Sequence, residues 1–248
     1  MNKVGMLCVV TTVLVLIGGC SESSRSKVDP YSLVYCGGKT LDASCIVIFE
    51  DESNGKYLSE QEHRICLSNP YIEITSNEPT GASECKLSGA DFYVKKPVPD
   101  NIHPVACDSL YAKLIQTLMT VGNLGAEAAG GSANTMEMFG TDYKTVTLNP
   151  GPVGLSALEV HKVPCAQIKL YANTEKGVID RVTVKNLKSG AELSGYAYNW
   201  RNISEINKKV PSKIDIFMSG DWDVDVNPAI QINYLDFKIN TSEVLTQK

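Results

Sequence analysis

The chain has 248 residues, 43% of them hydrophobic, with 23 basic and 28 acidic side chains and a net charge of −5 at neutral pH. That acidic balance, with no basic run to offset it, excludes nucleic acid as a partner, because binding to phosphates rests on clustered lysines and arginines. The length is ample for a buried core, so the cysteines act as staples or modification sites rather than as the main source of stability.

Met1-Asn2-Lys3 puts one positive charge ahead of the nearly unbroken apolar run Val4–Ile17, and Gly18-Gly19 separate that run from Cys20. About 14 apolar residues fall short of the roughly 20 that span a bilayer, so the segment reads as a secretory signal. The ending Ile17-Gly18-Gly19-Cys20 resembles the lipobox of bacterial lipoproteins, whose cysteine is acylated and becomes the mature N-terminus. The resemblance implies a signal peptide over residues 1–19 and a membrane anchor at acylated Cys20. Ser21 stands where an aspartate would signal inner-membrane retention, which implies the outer membrane, facing the periplasm or the cell surface. Residues 20–30 are polar and without periodic apolar positions, as a flexible tether requires, and the folded domain is expected over residues 31–248.

From there alternation dominates. Strands are expected at Cys45–Phe49, His63–Leu67, Tyr71–Thr75, Glu84–Leu87 and Asp91–Lys95. One helix follows Asp108 as N-cap, with Leu110, Leu114, Ile115, Leu118 and Val121 at helical spacing, and the glycine- and alanine-rich stretch Gly122–Ser132 reads as a mobile connection. Further strands are expected at Lys144–Leu148, around Ile168 and Leu170, around Val182 and Val184, and at Gly195–Trp200 and Lys213–Met218. The last lie around Ile230 and Ile232 and at Leu235–Asn240. Turn sequences at Glu78–Gly81, Asn149–Pro152, Glu175–Gly177 and Lys188–Gly190 keep the connections short, which favours antiparallel neighbours.

A single helix of about 15 residues, some 22 Å long, cannot cover the apolar face of about ten strands in an open sheet, so the sheet must curl. The fold class is therefore mainly β: a curled antiparallel sheet, or half-barrel, with a helix covering its concave face. Tyr35-Cys36-Gly37-Gly38 before Leu41, Asn69–Ile74 followed by Pro79-Thr80-Gly81, the helix after Asp108, and Val210-Pro211 leading into Ile214–Met218 resemble the LolA/LolB family of lipoprotein carriers and related lipid-binding lipoproteins. That resemblance implies a non-enzymatic envelope protein that binds a lipid or a lipoprotein acyl chain, and its lipid-anchored branch is the nearer analogy. The cavity wall would be Ile168, Leu170, Val182, Val184, Tyr196, Tyr198, Ile214, Ile216, Ile230 and Ile232, with Leu114 and Leu118 on the covering helix. The alternative is a structural or assembly lipoprotein with a packed interior that binds an envelope protein partner on its surface.

Six mature cysteines, Cys36, Cys45, Cys66, Cys85, Cys107 and Cys165, suit three disulfides in an oxidising compartment. Pairs near in sequence would be Cys36 with Cys45 and Cys66 with Cys85, leaving Cys107 with Cys165. His103 and Cys107 share a three-residue spacing with His161 and Cys165, a pattern able to bind zinc, but the same compartment favours the disulfide. Asp221-Trp222-Asp223-Val224-Asp225 resembles the start of a calcium loop; Val226 occupies its glycine position and Ile232 its glutamate position, so strand alternation accounts for it better. No nucleophile elbow, metal-protease histidine pair or phosphate-binding loop is present, and neither an enzyme, a cofactor nor a metal is expected.

Overall fold

The computed structural model describes residues 39–51, 55–66, 71–78, 81–88, 91–96, 109–121, 134–148, 166–218 and 227–241. The expected signal peptide, Cys20 and the expected tether, Cys36, Cys107, Cys165, His103, His161, the aspartates at 221–225 and the connections at 122–132 and 149–152 all lie outside them. The strands are β1 (Lys39–Asp51), β2 (Gly55–Cys66), β3 (Tyr71–Glu78), β4 (Gly81–Ser88), β5 (Asp91–Lys96), β6 (Asn134–Met138), β7 (Thr141–Leu148), β8 (Ala166–Asn173), β9 (Val178–Asn186), β10 (Glu192–Ile203), β11 (Lys208–Phe217) and β12 (Ile230–Thr241). The helix α1 (Ser109–Val121) lies between β5 and β6 in the chain.

All twelve strands form one sheet in the order β5-β4-β3-β2-β1-β12-β11-β10-β9-β8-β7-β6. Every described pairing is antiparallel, as the short turns require. Two meanders, β1–β5 and β6–β12, are thus welded at their centre by β1 against β12. The topology fixes the helix: β5 and β6 are the two opposite edges of the sheet, so the chain must cross from one edge to the other, and α1 is that crossing.

The 13-residue helix is about 20 Å long, whereas β4 and β9 are about 34 Å apart if the sheet is flat. Yet α1 packs against β9, β10 and β11 and also against β2, β3 and β4. Only a curled sheet can do this. Breaks of register at Ser44/Cys45 in β1 and at Tyr171/Ala172 in β8 supply local bends of the kind that curl a sheet.

Strand β6 was not foreseen. Its hairpin with β7 turns through Phe139-Gly140, with φ of 52° and 72°, the two positive values a tight two-residue turn needs. Phenylalanine is an uncommon first residue for such a turn; here the Arg181 guanidinium lies 5.1 Å from its ring centroid. The two strands expected at residues 230–234 and 235–240 are one, β12. Among the described residues no helix is long and apolar enough to cross a membrane.

Candidate functional site

The register of the sheet lays apolar side chains in continuous rungs across its concave face. Leu41, Ile65, Ile72 and Leu87 face one another across β1–β4. Across the central pair the rung Phe49, Ile230, Ile216, Gly195, Val182, Leu170 runs from β1 to β8, and Val47, Ile232, Ile214 and Ala197 form the rung beside it. Gly195 is a notch in the first of these. A Cβ there would meet Leu118 Cδ1 at 2.8 Å and the methyls of Leu114 at 3.1 and 3.2 Å, so glycine lets α1 lie directly on the sheet backbone.

Most of the residues expected to form the wall are buried. Val182, Val184, Ile214, Ile216, Ile230 and Ile232 are at most 1% exposed, and Leu114 and Leu118 on α1 are fully buried against the same cluster. Leu170 and Ile168 lie toward the β8 side of that cluster, Ile168 only partly covered. Tyr196 and Tyr198 are the exceptions. Strand alternation turns Gly195 and Ala197 inward, so both tyrosines point from the convex face. Arg181 lies 4.2 Å over the Tyr196 ring, the two tyrosine rings stack with centroids 5.4 Å apart, and Tyr198 OH donates to Asp215 at 3.3 Å. Burial and the Asp215 charge push the Tyr198 hydroxyl up to about 12. They are not part of the wall.

The expected disulfide scheme also needs correction. Cys45 is a buried free thiol, 3.6 Å from the Gln61 carbonyl and 3.7 Å from His63 Nε2, so its proposed bond to Cys36 is not formed. Cys66 and Cys85 are not bonded to each other: β3 lies between their strands, and Cys66 sits opposite Tyr71 while Cys85 sits opposite Ile74. That separation far exceeds the 4.4–6.8 Å between Cα atoms that a disulfide accepts.

What the sequence did not disclose is a polar patch inside the half-barrel. Beside the apolar rungs, Cys45, Gln61, Ser76 and Ser83 face one another across β1–β4, with Ser59 and His63 flanking Gln61. All six are at most 2% exposed. Gln61 Oε1 accepts from His63 Nε2 at 3.0 Å and from Tyr111 OH of α1 at 3.2 Å, while Gln61 Nε2 donates to Ser59 Oγ at 3.3 Å. Because Oε1 can only accept, His63 carries its proton on Nε2, and Nδ1 accepts from Tyr234 OH at 2.9 Å. Burial lowers the His63 pKa from 6.5 to about 3, and pushes both the Tyr234 hydroxyl and the Cys45 thiol far up. The patch is therefore neutral throughout. Ser76 Oγ and Ser83 Oγ have no hydrogen-bond partner at all.

On the convex side, a polar groove of about 280 Å³ runs over β1–β3 and β12, lined by Asp42, Ser44, Glu62, Arg64, Glu73, Thr75, Asp236 and Lys238 among others. Arg64 closes it with two bonds to Asp42 at 3.1 and 3.2 Å and an ion pair to Glu73 at 3.8 Å. Its lining suits neither an acyl chain nor, among the described residues, a metal ion.

No protein-family model matches the chain, and no curated protein matches it. Among solved structures it is similar to a LolA superfamily protein from Nitrosomonas europaea, with 14% identity, 82% of this chain and 87% of the other covered, and a TM-score of 0.51. A domain from Vibrio parahaemolyticus described as an outer-membrane lipoprotein-sorting protein aligns with 8% identity over 84% and 88% of the two chains, at a TM-score of 0.42. The first of these establishes a LolA-like fold.

Proposed function

We propose that this chain is a non-enzymatic envelope lipoprotein that takes an acyl chain, of a lipid or of a lipoprotein, into the half-barrel in exchange for α1. The reading rests on one observation: α1 is a self-contained apolar plug. Leu110, Leu114, Ile115, Leu118 and Met119 are buried. Most of its polar side chains bond within the helix: Thr117 Oγ1 and Thr120 Oγ1 donate to the Lys113 and Gln116 carbonyls at 2.7 Å, and Lys113 Nζ donates to Gln116 Oε1 at 3.0 Å, while Tyr111 OH reaches Gln61 on the sheet. Leaving the trough therefore costs the helix few hydrogen bonds, and hydrocarbon can replace hydrocarbon against the wall.

Residues 1–19 would be the signal peptide, acylated Cys20 the outer-membrane anchor, residues 20–30 the tether and residues 31–248 the binding domain. Tethering brings the trough to the surface from which a lipid or a lipoprotein is collected. The LolA-like fold agrees with this reading.

A second reading is favoured by the closeness of the packing. Gly195 leaves no spare room beneath Leu118, as expected of a solid interior whose outer surface binds an envelope protein partner. Native mass spectrometry of the purified protein, with lipid extraction and uptake of a fluorescent fatty acid, separates the two. Val184→Trp sharpens the test: in an exchangeable trough it weakens lipid uptake, and in a solid core it costs about 1–3 kcal/mol of stability with no uptake to lose. Protein that carries no lipid, takes up none and is destabilised by the tryptophan supports the solid core and ends the carrier reading.

A further inference from the structure

We infer that the polar patch of Gln61, Ser76 and Ser83 is a subsite for an uncharged hydrogen-bonding group on the ligand, a hydroxyl or an ester, so that the trough prefers neutral acyl glycerides to lipids with ionised headgroups. The inference rests on the acyl-chain reading above and adds its headgroup chemistry.

Three features of the patch lead to it. First, buried hydroxyls without partners are rare, because each loses its bonds to water and gains none. Here two stand directly opposite each other, Ser76 on β3 and Ser83 on β4, both fully buried and both with unpartnered Oγ atoms. They lie on the concave face beside Gln61, which is opposite Ser76 on the neighbouring strand. Alanine would fit both positions at no such cost.

Second, the patch already holds a hydroxyl from the plug. Tyr111 OH donates to Gln61 Oε1 at 3.2 Å, so withdrawal of α1 removes a donor from that oxygen and leaves three polar side chains facing whatever enters. A ligand hydroxyl restores the donor to Gln61, and an ester carbonyl accepts from the two serines. A bare hydrocarbon does neither.

Third, the patch offers nothing to balance a charge. Its side chains are serines, a glutamine, a thiol, a phenol and a histidine held neutral between Gln61 and Tyr234. Lys113, the one charged residue of α1, stands about 200° around the helix from Tyr111. A phosphate brought here would be a buried anion without a partner, which an apolar trough disfavours strongly.

The test compares two probes with the same chain and the same ester, 1-palmitoylglycerol and its 3-phosphate, competing for the full-length protein against a fluorescent acyl probe. The expected result is at least about tenfold tighter binding of the uncharged glyceride. The Ser76→Ala, Ser83→Ala double variant should lose most of that preference while still binding palmitoyl chains, with thermal stability unchanged or higher, because no native hydrogen bond is removed. Equal binding of the two probes by the wild type, or a preference that survives in the double variant, overturns the subsite and leaves acyl-chain binding standing. Failure to bind either probe overturns the acyl-chain reading and the subsite with it.

Discussion

Acidification tests the interior directly through His63. In the unfolded chain this histidine protonates near its ordinary value of 6.5, whereas burial holds the folded form at about 3. Between those values the unfolded state binds a proton that the folded state refuses. Its contribution is therefore fully present above about pH 6.5, declines as the pH falls and is exhausted below about pH 3. The linkage relation puts the loss at about 2 kcal/mol at pH 5 relative to pH 8, with a limit of about 5 kcal/mol at lower pH. The His63 ring meets neutral partners, Tyr234, Gln61 and the Cys45 thiol, so no anion among them offsets this cost. Urea unfolding at pH 8 and pH 5, for the wild type and for His63→Gln, measures it. Asp180 and Asp215, whose pKa values burial raises, gain stability as the pH falls and so oppose the histidine; they are common to both proteins and cancel in the comparison. The wild type should lose about 2 kcal/mol more than the variant on acidification. Should the substitution leave too little stability to measure, the pair His63→Leu, Tyr234→Phe removes both partners of the bond and serves the same purpose. The same pH dependence in variant and wild type would refute a neutral, buried His63.

Gly195→Leu should push α1 off the sheet, because its Cβ alone falls 2.8 Å from Leu118 Cδ1; stability drops by about 1–3 kcal/mol, and faster hydrogen exchange at residues 109–121 reports the displacement. Cys45 should resist a thiol reagent in the folded protein and react on unfolding, as a buried thiol with a raised pKa must; peptide mapping after labelling reads this, and rapid labelling under native conditions contradicts its placement. Cys20→Ser should block acylation, so fractionation should find the variant unprocessed or released; membrane recovery and processing equal to the wild type count against the anchor.

The amino-acid pattern reveals the fold well where burial and polarity alternate, as in Val182, Val184, Ile214, Ile216, Ile230 and Ile232. It reveals the curl through a mismatch of areas, one helix against many strands. It misleads at Tyr196 and Tyr198, because aromatic residues at period two look like a wall from either side. The register, which sets Gly195 and Ala197 opposite buried Ile216 and Ile214, and the Gly195 notch against Leu118 fix which face is inward. The polar patch was hidden for a related reason: in Ser59-Glu60-Gln61-Glu62-His63-Arg64 both faces of the strand are polar, so hydrophobic alternation is silent. A signal was present in the charges. Glu60, Glu62 and Arg64 alternate with uncharged Ser59, Gln61 and His63, and the uncharged set is the buried one. Cysteine counting failed at Cys45, Cys66 and Cys85 because it ignores register; Cys66 and Cys85 are close in sequence but have a whole strand between them.

Exchange of helix for ligand also sets a requirement on chain length. The five large aliphatic and thioether side chains that α1 buries, Leu110, Leu114, Ile115, Leu118 and Met119, are worth about 1.5–3 kcal/mol each, or about 8–15 kcal/mol together. A palmitoyl chain, at ~0.8 kcal/mol for each of its ~14 methylenes, recovers about 11 kcal/mol and so matches the plug. An octanoyl chain, with ~6 methylenes, recovers only about 5 kcal/mol and leaves the wall short of cover. Palmitoyl probes should therefore displace α1, seen as faster hydrogen exchange over residues 109–121, while octanoyl probes at equal free concentration should leave its protection unchanged. Binding of both chains without any change in helix protection would show that ligand enters beside α1 rather than in its place, and the exchange mechanism would be wrong.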